Sequence, residues 1–430
     1  MNRFTIKRLC KQFDINTEVL ELIIESEKEI EKYISDFNEI KEYNQFKVIE
    51  AMQKYRLTYS DFAGNTGYGY GDVGRDKVEE IYAHIFNTED ALVRPIIASG
   101  THALSLTLSG LLRPNDELIS ISGAPYDTLQ EIIGIKDTGE KGALKEFGIT
   151  YKEVALIDNK IDVDTVLKSI TEKTKILMIQ RSTGYSDRRA LTIDEIEEAI
   201  KKIKEVNKKV IIMVDNCYGE FVDYLEPTDV GADIMAGSLI KNPGGGIAVS
   251  GGYIVGKKNL VEQVANRLTA PGLGKECGLT FGTTRTTLQG LFLAPHVVCE
   301  ALKGAILLAK VADKLGFNTV PKIQDKRSDI IQAVEFLSSE RVVEFIKGIQ
   351  EASPVDSFVT PEAWEMPGYQ NKVIMASGGF IEGSSIELSA DGPMREPYYA
   401  YYQGGLTFEH AKLGIAMAIN NLYQKNLITI

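Results

Sequence analysis

Lys241 lies in the stretch Gly237-Ser-Leu-Ile-Lys241-Asn-Pro-Gly-Gly-Gly246, shortly after Val210-Ile-Ile-Met-Val-Asp215-Asn-Cys-Tyr218. A lysine amine can hold an aldehyde as a Schiff base, and a carboxylate at the end of a buried strand can keep a heteroaromatic nitrogen protonated. Both groups follow strand-like apolar runs, so they are expected to emerge at the same edge of one sheet. An unpaired carboxylate after Val-Ile-Ile-Met-Val is costly to bury, so Asp215 needs a partner.

Five further pieces can serve the same chemistry. In Ala98-Ser99-Gly100-Thr101-His102, a strand gives way to a helix, whose free N–H groups and dipole can hold a phosphate. The same residues also read as an ordinary helix start. Tyr126, in Gly123-Ala-Pro-Tyr126-Asp-Thr128, can stack on a heteroaromatic ring. Ser238, three residues before Lys241, can reach the phosphate, and Tyr218 can donate a hydrogen bond, with Cys217 packing as a small apolar residue. Arg395, in Ser389-Ala-Asp-Gly-Pro-Met-Arg395, can take a carboxylate bidentately.

The elements that must position these groups can be read from periodicity. Residues 1 to 58 read as N-terminal helices, with Val19, Leu20, Ile23, Ile24, Ile30 and Ile34 as one stripe. Gly64 to Gly74 is a glycine and tyrosine loop. Strands are expected at Leu92 to Ala98, Glu117 to Ile121, Lys175 to Gln180, Val210 to Asp215 and Ser250 to Gly256. A helix from about Asp194 to Asn207 has Thr192 and Glu195 placed as a capping box. This alternation predicts an α/β fold with a mostly parallel sheet, ligands binding at the carboxyl ends of its strands. A long helix from Leu288 to about Ala312 ends the large domain, 59–312. Residues 313–430 are expected to form a smaller α/β domain, with strands near Lys372 to Met375 and Ser385 to Leu388 and a final helix from Thr407.

Composition narrows the function classes. The chain has 430 residues, 44% of them hydrophobic, and a formal charge of −12. Such an acidic chain offers no basic stripe for nucleic acid, and a small molecule is the expected partner. Four cysteines and four histidines show no metal-ligand spacing. No membrane span is expected, and a cytoplasmic location follows.

Read in order, the segments Tyr68-Gly-Tyr-Gly-Asp-Val-Gly-Arg75, Val93-Arg-Pro, Ser99-Gly-Thr-His-Ala103, Val214-Asp-Asn-Cys-Tyr-Gly-Glu-Phe221 and Ser238-Leu-Ile-Lys-Asn-Pro-Gly-Gly-Gly246 resemble the methionine gamma-lyase-like family of aluminium resistance proteins. That family falls among the pyridoxal phosphate enzymes of aspartate aminotransferase-like fold (fold type I). The resemblance implies pyridoxal 5'-phosphate held by Ser99, Gly100, Thr101, His102, Tyr126, Asp215, Tyr218, Ser238 and Lys241. It also implies catalysis by Lys241 and Tyr126, an amino-acid substrate contacted by Arg395 and Tyr70, and a homodimer or homotetramer with shared active sites. The loop Phe281-Gly-Thr-Thr-Arg285 resembles phosphate-contacting loops that a second subunit contributes. Two positions depart from the better-known sulfur lyases: Tyr68-Gly-Tyr70 stands for their Tyr-Ser-Arg, leaving Tyr70 or Arg75 as substitutes, and Thr128 stands where methionine gamma-lyases carry a cysteine. The implied activity is β- or γ-elimination from a sulfur-containing amino acid. Transamination, retro-aldol cleavage and a non-catalytic cofactor-binding role in stress or metal resistance are the alternatives.

Overall fold

The computed structural model describes residues 1–136, 139, 141–366, 369 and 371–430. The chain forms two compact units. One comprises Tyr43–Gly184 with Ala190–Ala294, the other Met1–Glu42, Tyr185–Arg189 and Pro295–Ile430. The N-terminal helices therefore do not stand apart as a segment of their own. Val19, Leu20 and Ile23 are fully buried in one core with Phe345, Ile349, Ile415 and Ile419 near the C-terminus. The division falls at Ala294/Pro295, inside the helix Thr284–Lys314, rather than at its expected end near residue 312.

The first unit is built on strands β1 (Asp90–Arg94), β2 (Glu117–Ser120) and β3 (Thr150–Glu153), a small hairpin β4 (Leu156–Ile157) and β5 (Lys160–Ile161), and β6 (Thr174–Gln180), β7 (Ile211–Asp215), β8 (Ile234–Ser238) and β9 (Gly252–Gly256). Seven of these form one sheet in the order β1-β9-β8-β7-β6-β2-β3. Every pairing is parallel except those made by β9, which runs antiparallel to both neighbours. Strands β7, β8 and β9 are buried along their whole length. Helices cover both faces, so these strands read as unbroken apolar runs rather than alternating ones.

Local signals place the connections. The helix Ile193–Val206 begins with the expected capping box, Thr192 accepting from the Glu195 amide and Glu195 from the Thr192 amide. A box of this kind stabilises a helix by about 1 kcal/mol. The helix buries Ile193, Ile196, Ile200 and Ile203 and delivers the chain to β7. Strand β1 stops at Arg94, short of Ala98, because Pro95 has no amide to continue the ladder with β9.

The second unit carries a five-stranded antiparallel sheet in the order β10-β11-β14-β13-β12. Its strands are β10 (Asn318–Val320), β11 (Gln332–Glu335), β12 (Val373–Ser377), β13 (Ser389–Pro393) and β14 (Tyr399–Gln403). The strand expected at Ser385 to Leu388 begins at Ser389 instead. Glu387 explains the delay: its carboxylate accepts from the Phe380 and Ile381 amides, which holds this stretch in a loop. The final helix, Phe408–Gln424, is capped by Thr407 as expected. One expectation needs correction, since the helix Thr284–Lys314 is long and apolar enough to cross a membrane by length and composition. Most of its apolar window is buried inside the protein, so burial accounts for that character.

Candidate active site

The register of the seven-stranded sheet brings the chemical groups to one edge. Gln180 pairs with Asp215, and Asp215 with Ala236, across β6, β7 and β8. Ser238 pairs with Gly252, which pairs with Arg94 of β1. The carboxyl ends of β1, β6, β7 and β8 thus share an edge, and the segments carrying Ser99, Asp215, Ser238 and Lys241 leave from it.

Lys241 follows Ser238 by a tight turn. Its residue precedes a short 3-10 helix, Asn242–Gly244, with Pro243 inside it and Gly245 in the left-handed region. A Cβ on Gly245 would stand 2.4 Å from the Gly290 carbonyl oxygen, so glycine is required there. The Asn242 side chain donates to the Glu220 carbonyl at 2.9 Å and ties the turn to the loop after β7. The Lys241 amine lies 3.8 Å from the Tyr218 ring centroid, and the residue is half-buried.

The expected anion cradle is packed directly against this turn. Ser99 caps the helix Gly100–Leu111 by accepting from the His102 amide at 3.1 Å. A Cβ on Gly100 would lie 3.1 Å from Cys217 Sγ and 3.3 Å from Ser238 Cβ. The helix start, the loop after β7 and Ser238 therefore meet at van der Waals distance. Among the described residues the Ser238 hydroxyl makes no hydrogen bond, although the residue is buried. Thr101 shares a hydroxyl contact with Thr128 at 3.2 Å. His102 turns its Nδ1 back to accept from the Ala98 amide at 3.0 Å, which organises the chain before the helix. Tyr126 is held at the start of the helix Asp127–Ile133, its amide donating to Gln180 Oε1 at 2.7 Å.

The electrostatics follow from burial. Asp215 is buried, and desolvation raises its carboxyl above the usual range while the Lys241 ammonium opposes that. One oxygen accepts from the Cys217 amide at 3.1 Å. For Lys241, burial favours loss of the proton, but the Tyr218 hydroxyl and the Asp215 carboxylate oppose it, and the amine stands above the ordinary lysine range. Burial also pushes the Cys217 thiol up, so it stays neutral and packs as a small apolar group.

An amine, a buried carboxylate, and a helix N-terminus beside a free hydroxyl fit the aldehyde, ring nitrogen and phosphate of pyridoxal phosphate. The other expected residues have surroundings of their own. Tyr70 is exposed on the glycine loop, its ring 5.6 Å from that of Tyr68. Arg75 is not a free phosphate ligand: it is 1% exposed and donates to the Gly69 carbonyl at 2.7 Å and the Gly278 carbonyl at 3.2 Å. Arg285 stacks on the Phe62 ring at 4.4 Å. Arg395 belongs to the second unit, exposed, donating to the Tyr185 carbonyl at 2.9 Å. It lines a cavity there with Tyr185, Tyr399 and Tyr401.

Sequence reasoning missed Gln180, Arg94 and Glu220. Gln180 carried the same signal as Asp215, a polar residue closing an apolar run. Arg94 gave none, because its task is tertiary: it pairs with Glu79 at 2.8 Å and donates to the carbonyls of Lys275 and Cys277.

A family model described as methionine gamma-lyase matches residues 19–423. A protein of Bacillus subtilis (strain 168), YnbB, is 52% identical over 94% of this chain and 96% of its own length. A crystal structure from Clostridium acetobutylicum, provisionally named a cystathionine beta-lyase involved in aluminum resistance, superposes with a TM-score of 0.95 at 54% identity, covering 98% of this chain and all of that one. The pyridoxal-5'-phosphate-dependent protein YhfS from Escherichia coli shares the fold at 16% identity, with a TM-score of 0.60 over 90% of this chain and 97% of its own. With a matched region that takes in both units and all of the residues around Lys241, the chain belongs to the methionine gamma-lyase family.

Proposed function

We propose that this protein is a fold type I, pyridoxal phosphate-dependent carbon-sulfur lyase that removes a β or γ sulfur substituent from an amino acid. The observation that carries the reading is the meeting of Lys241, Asp215, Gly100 and Ser238 at one sheet edge. When bound, pyridoxal phosphate supplies an electron sink for charge that develops at the substrate's α-carbon.

The chain's own residues do the rest. Lys241 anchors the aldehyde end, and its amine is the base that takes the α proton. That role requires the amine to shed the proton that its acidic neighbours favour. Asp215 would place negative charge against the ring nitrogen and keep it protonated. The amides at the start of the helix Gly100–Leu111, with the Ser99, Thr101 and Ser238 hydroxyls, receive the phosphate. Tyr126 would stack on the ring and protonate the departing thiolate.

A homodimer or homotetramer belongs to the same proposal. Tyr68, Tyr70 and Phe281 are 73%, 54% and 69% exposed, an aromatic surface that suits a second copy. Their two loops are joined by the Gly278 amide donating to the Tyr68 carbonyl at 2.9 Å.

The test is to incubate the purified protein with cystathionine, methionine, cysteine and homocysteine and assay ammonia, keto acid and thiol. Keto acid and thiol together from one of them support the reading. No keto acid from any of the four defeats it.

A further inference from the structure

Thr101 and Thr128 hold the second positions of two neighbouring helices, Gly100–Leu111 and Asp127–Ile133. Their hydroxyl oxygens lie 3.2 Å apart, and either can be the donor. Ala103, Leu104, Leu129 and Ile133 of the same helices are buried in one apolar core, which fixes the two helix starts to each other without help from the hydroxyls.

A threonine hydroxyl carries one proton and two lone pairs. Deeper in a helix it commonly returns that proton to the backbone, as Thr107 does to the Ala103 carbonyl at 2.8 Å. In the second position no carbonyl of the same helix lies a turn before it, so Thr101 and Thr128 turn to each other. Among the described residues neither hydroxyl has another hydrogen-bond partner. Such a pair uses one proton and leaves one over.

Which proton is left depends on what stands beside the pair. At the start of Gly100–Leu111 the Ser99 hydroxyl takes the His102 amide and the Ser99 carbonyl the Ala103 amide. The amides of Gly100 and Thr101 are left for a ligand, with the buried Ser238 side chain packed against Gly100. An anion there favours one of the two arrangements: Thr128 donates to Thr101, and Thr101 turns its own proton to the anion. The reverse arrangement presents a lone pair to a negative charge.

We propose that Thr128 is a positioning residue for the phosphate end of the site: its hydroxyl donates to Thr101 and fixes Thr101 as a phosphate donor, which favours the phosphorylated cofactor over the unphosphorylated aldehyde. The inference rests on reading the start of Gly100–Leu111 as the phosphate cradle. Thr128 acts through Thr101 and does not touch the anion. Because Thr128 follows Tyr126 by two residues, the same contact ties the turn whose amide Gln180 holds to that cradle.

The experiment titrates the full chain, stripped of cofactor, with pyridoxal 5'-phosphate and separately with pyridoxal, and follows the visible absorbance that each brings. Thr128→Val keeps the shape of the side chain but has no proton to give. Its affinity for pyridoxal 5'-phosphate is expected to fall about three- to tenfold while its affinity for pyridoxal stays within about twofold of wild type. Thr128→Ser should bind both as wild type does. In a Thr101→Val background the further change Thr128→Val should cost nothing more, since Thr128 acts only through Thr101.

A folded Thr128→Val protein that binds pyridoxal 5'-phosphate as tightly as wild type overturns the proposal. So does one that loses both ligands alike, which is what a role in packing alone gives, or a double variant weaker than Thr101→Val. If Thr128→Val does not fold, Thr128→Ala is read by the same criteria. The cofactor reading fails separately, if wild-type protein takes up pyridoxal phosphate no differently from Lys241→Ala.

Discussion

Lys241 and Tyr218 form a cation-ring contact, the amine 3.8 Å from the centroid, and Tyr218 reaches it from a left-handed backbone conformation. Such a conformation costs on the order of 1–3 kcal/mol in a bulky residue and marks where the fold spends stability on geometry. The strain sits in the loop that follows Asp215 and carries Cys217 and Glu220.

Replacement of Lys241 should separate charge from chemistry. Lys241→Ala is expected to abolish the visible absorbance that wild-type protein acquires with pyridoxal phosphate, and to leave Asp215 without its opposing cation. Lys241→Arg should lose the absorbance equally but keep a thermal midpoint closer to wild type. An Ala variant that colours like wild type would contradict the assignment.

Gly100→Ala probes the anion cradle. The added methyl would press on Cys217 and Ser238 at 3.1 and 3.3 Å, a crowding that costs about 1–3 kcal/mol. Affinity for pyridoxal phosphate, measured by titration, should fall at least about tenfold while the circular dichroism spectrum stays the same. Unchanged affinity would remove Gly100 from the site.

Arg94 tests whether a buried ion pair holds the rim of the site. Arg94 and Glu79 are both nearly inaccessible, and burial raises the Glu79 carboxyl against the pull of Arg94. Arg94→Met should cost about 3 kcal/mol in denaturant unfolding, because it leaves buried Glu79 with only the Lys275 amine and the Val93 amide and frees the Lys275 and Cys277 carbonyls. A loss below about 1 kcal/mol would show that the pair contributes little.

The pH dependence of stability has a definite sign at Glu220. Its folded-state value is raised from 4.5 to about 8, so the stability its protonated form contributes is full below 4.5 and is lost as pH rises toward 8. Thermal midpoints at about pH 6 and 8.5 should therefore differ more in wild type than in Glu220→Gln. Equal differences in the two proteins would rule out this titration.

How much was legible beforehand depended on how local each signal was. Asp215, Ser238 and Lys241 could be found because apolar runs ending in polar residues mark strand ends. The capping box at Thr192 and the cap at Thr407 announce helix starts within four residues of sequence. The start of β13 was missed because Glu387 captures two amides across a loop, and no periodicity reports that. The partners of Arg75 and Arg94 were invisible for the same reason, since they bond carbonyls some 180 to 200 positions away.

By itself the sequence determined the alternation of strands and helices and the groups at the strand ends, because each depends on neighbours within a few residues. Only the tertiary structure decided which groups meet. Sheet register set Asp215 beside Gln180, Gly100 closed on Cys217 and Ser238, and Gly237 made room for Glu220 and Tyr253. Those relations depend on pairing and close packing between distant segments, where one absent methyl group settles whether two side chains can share a space.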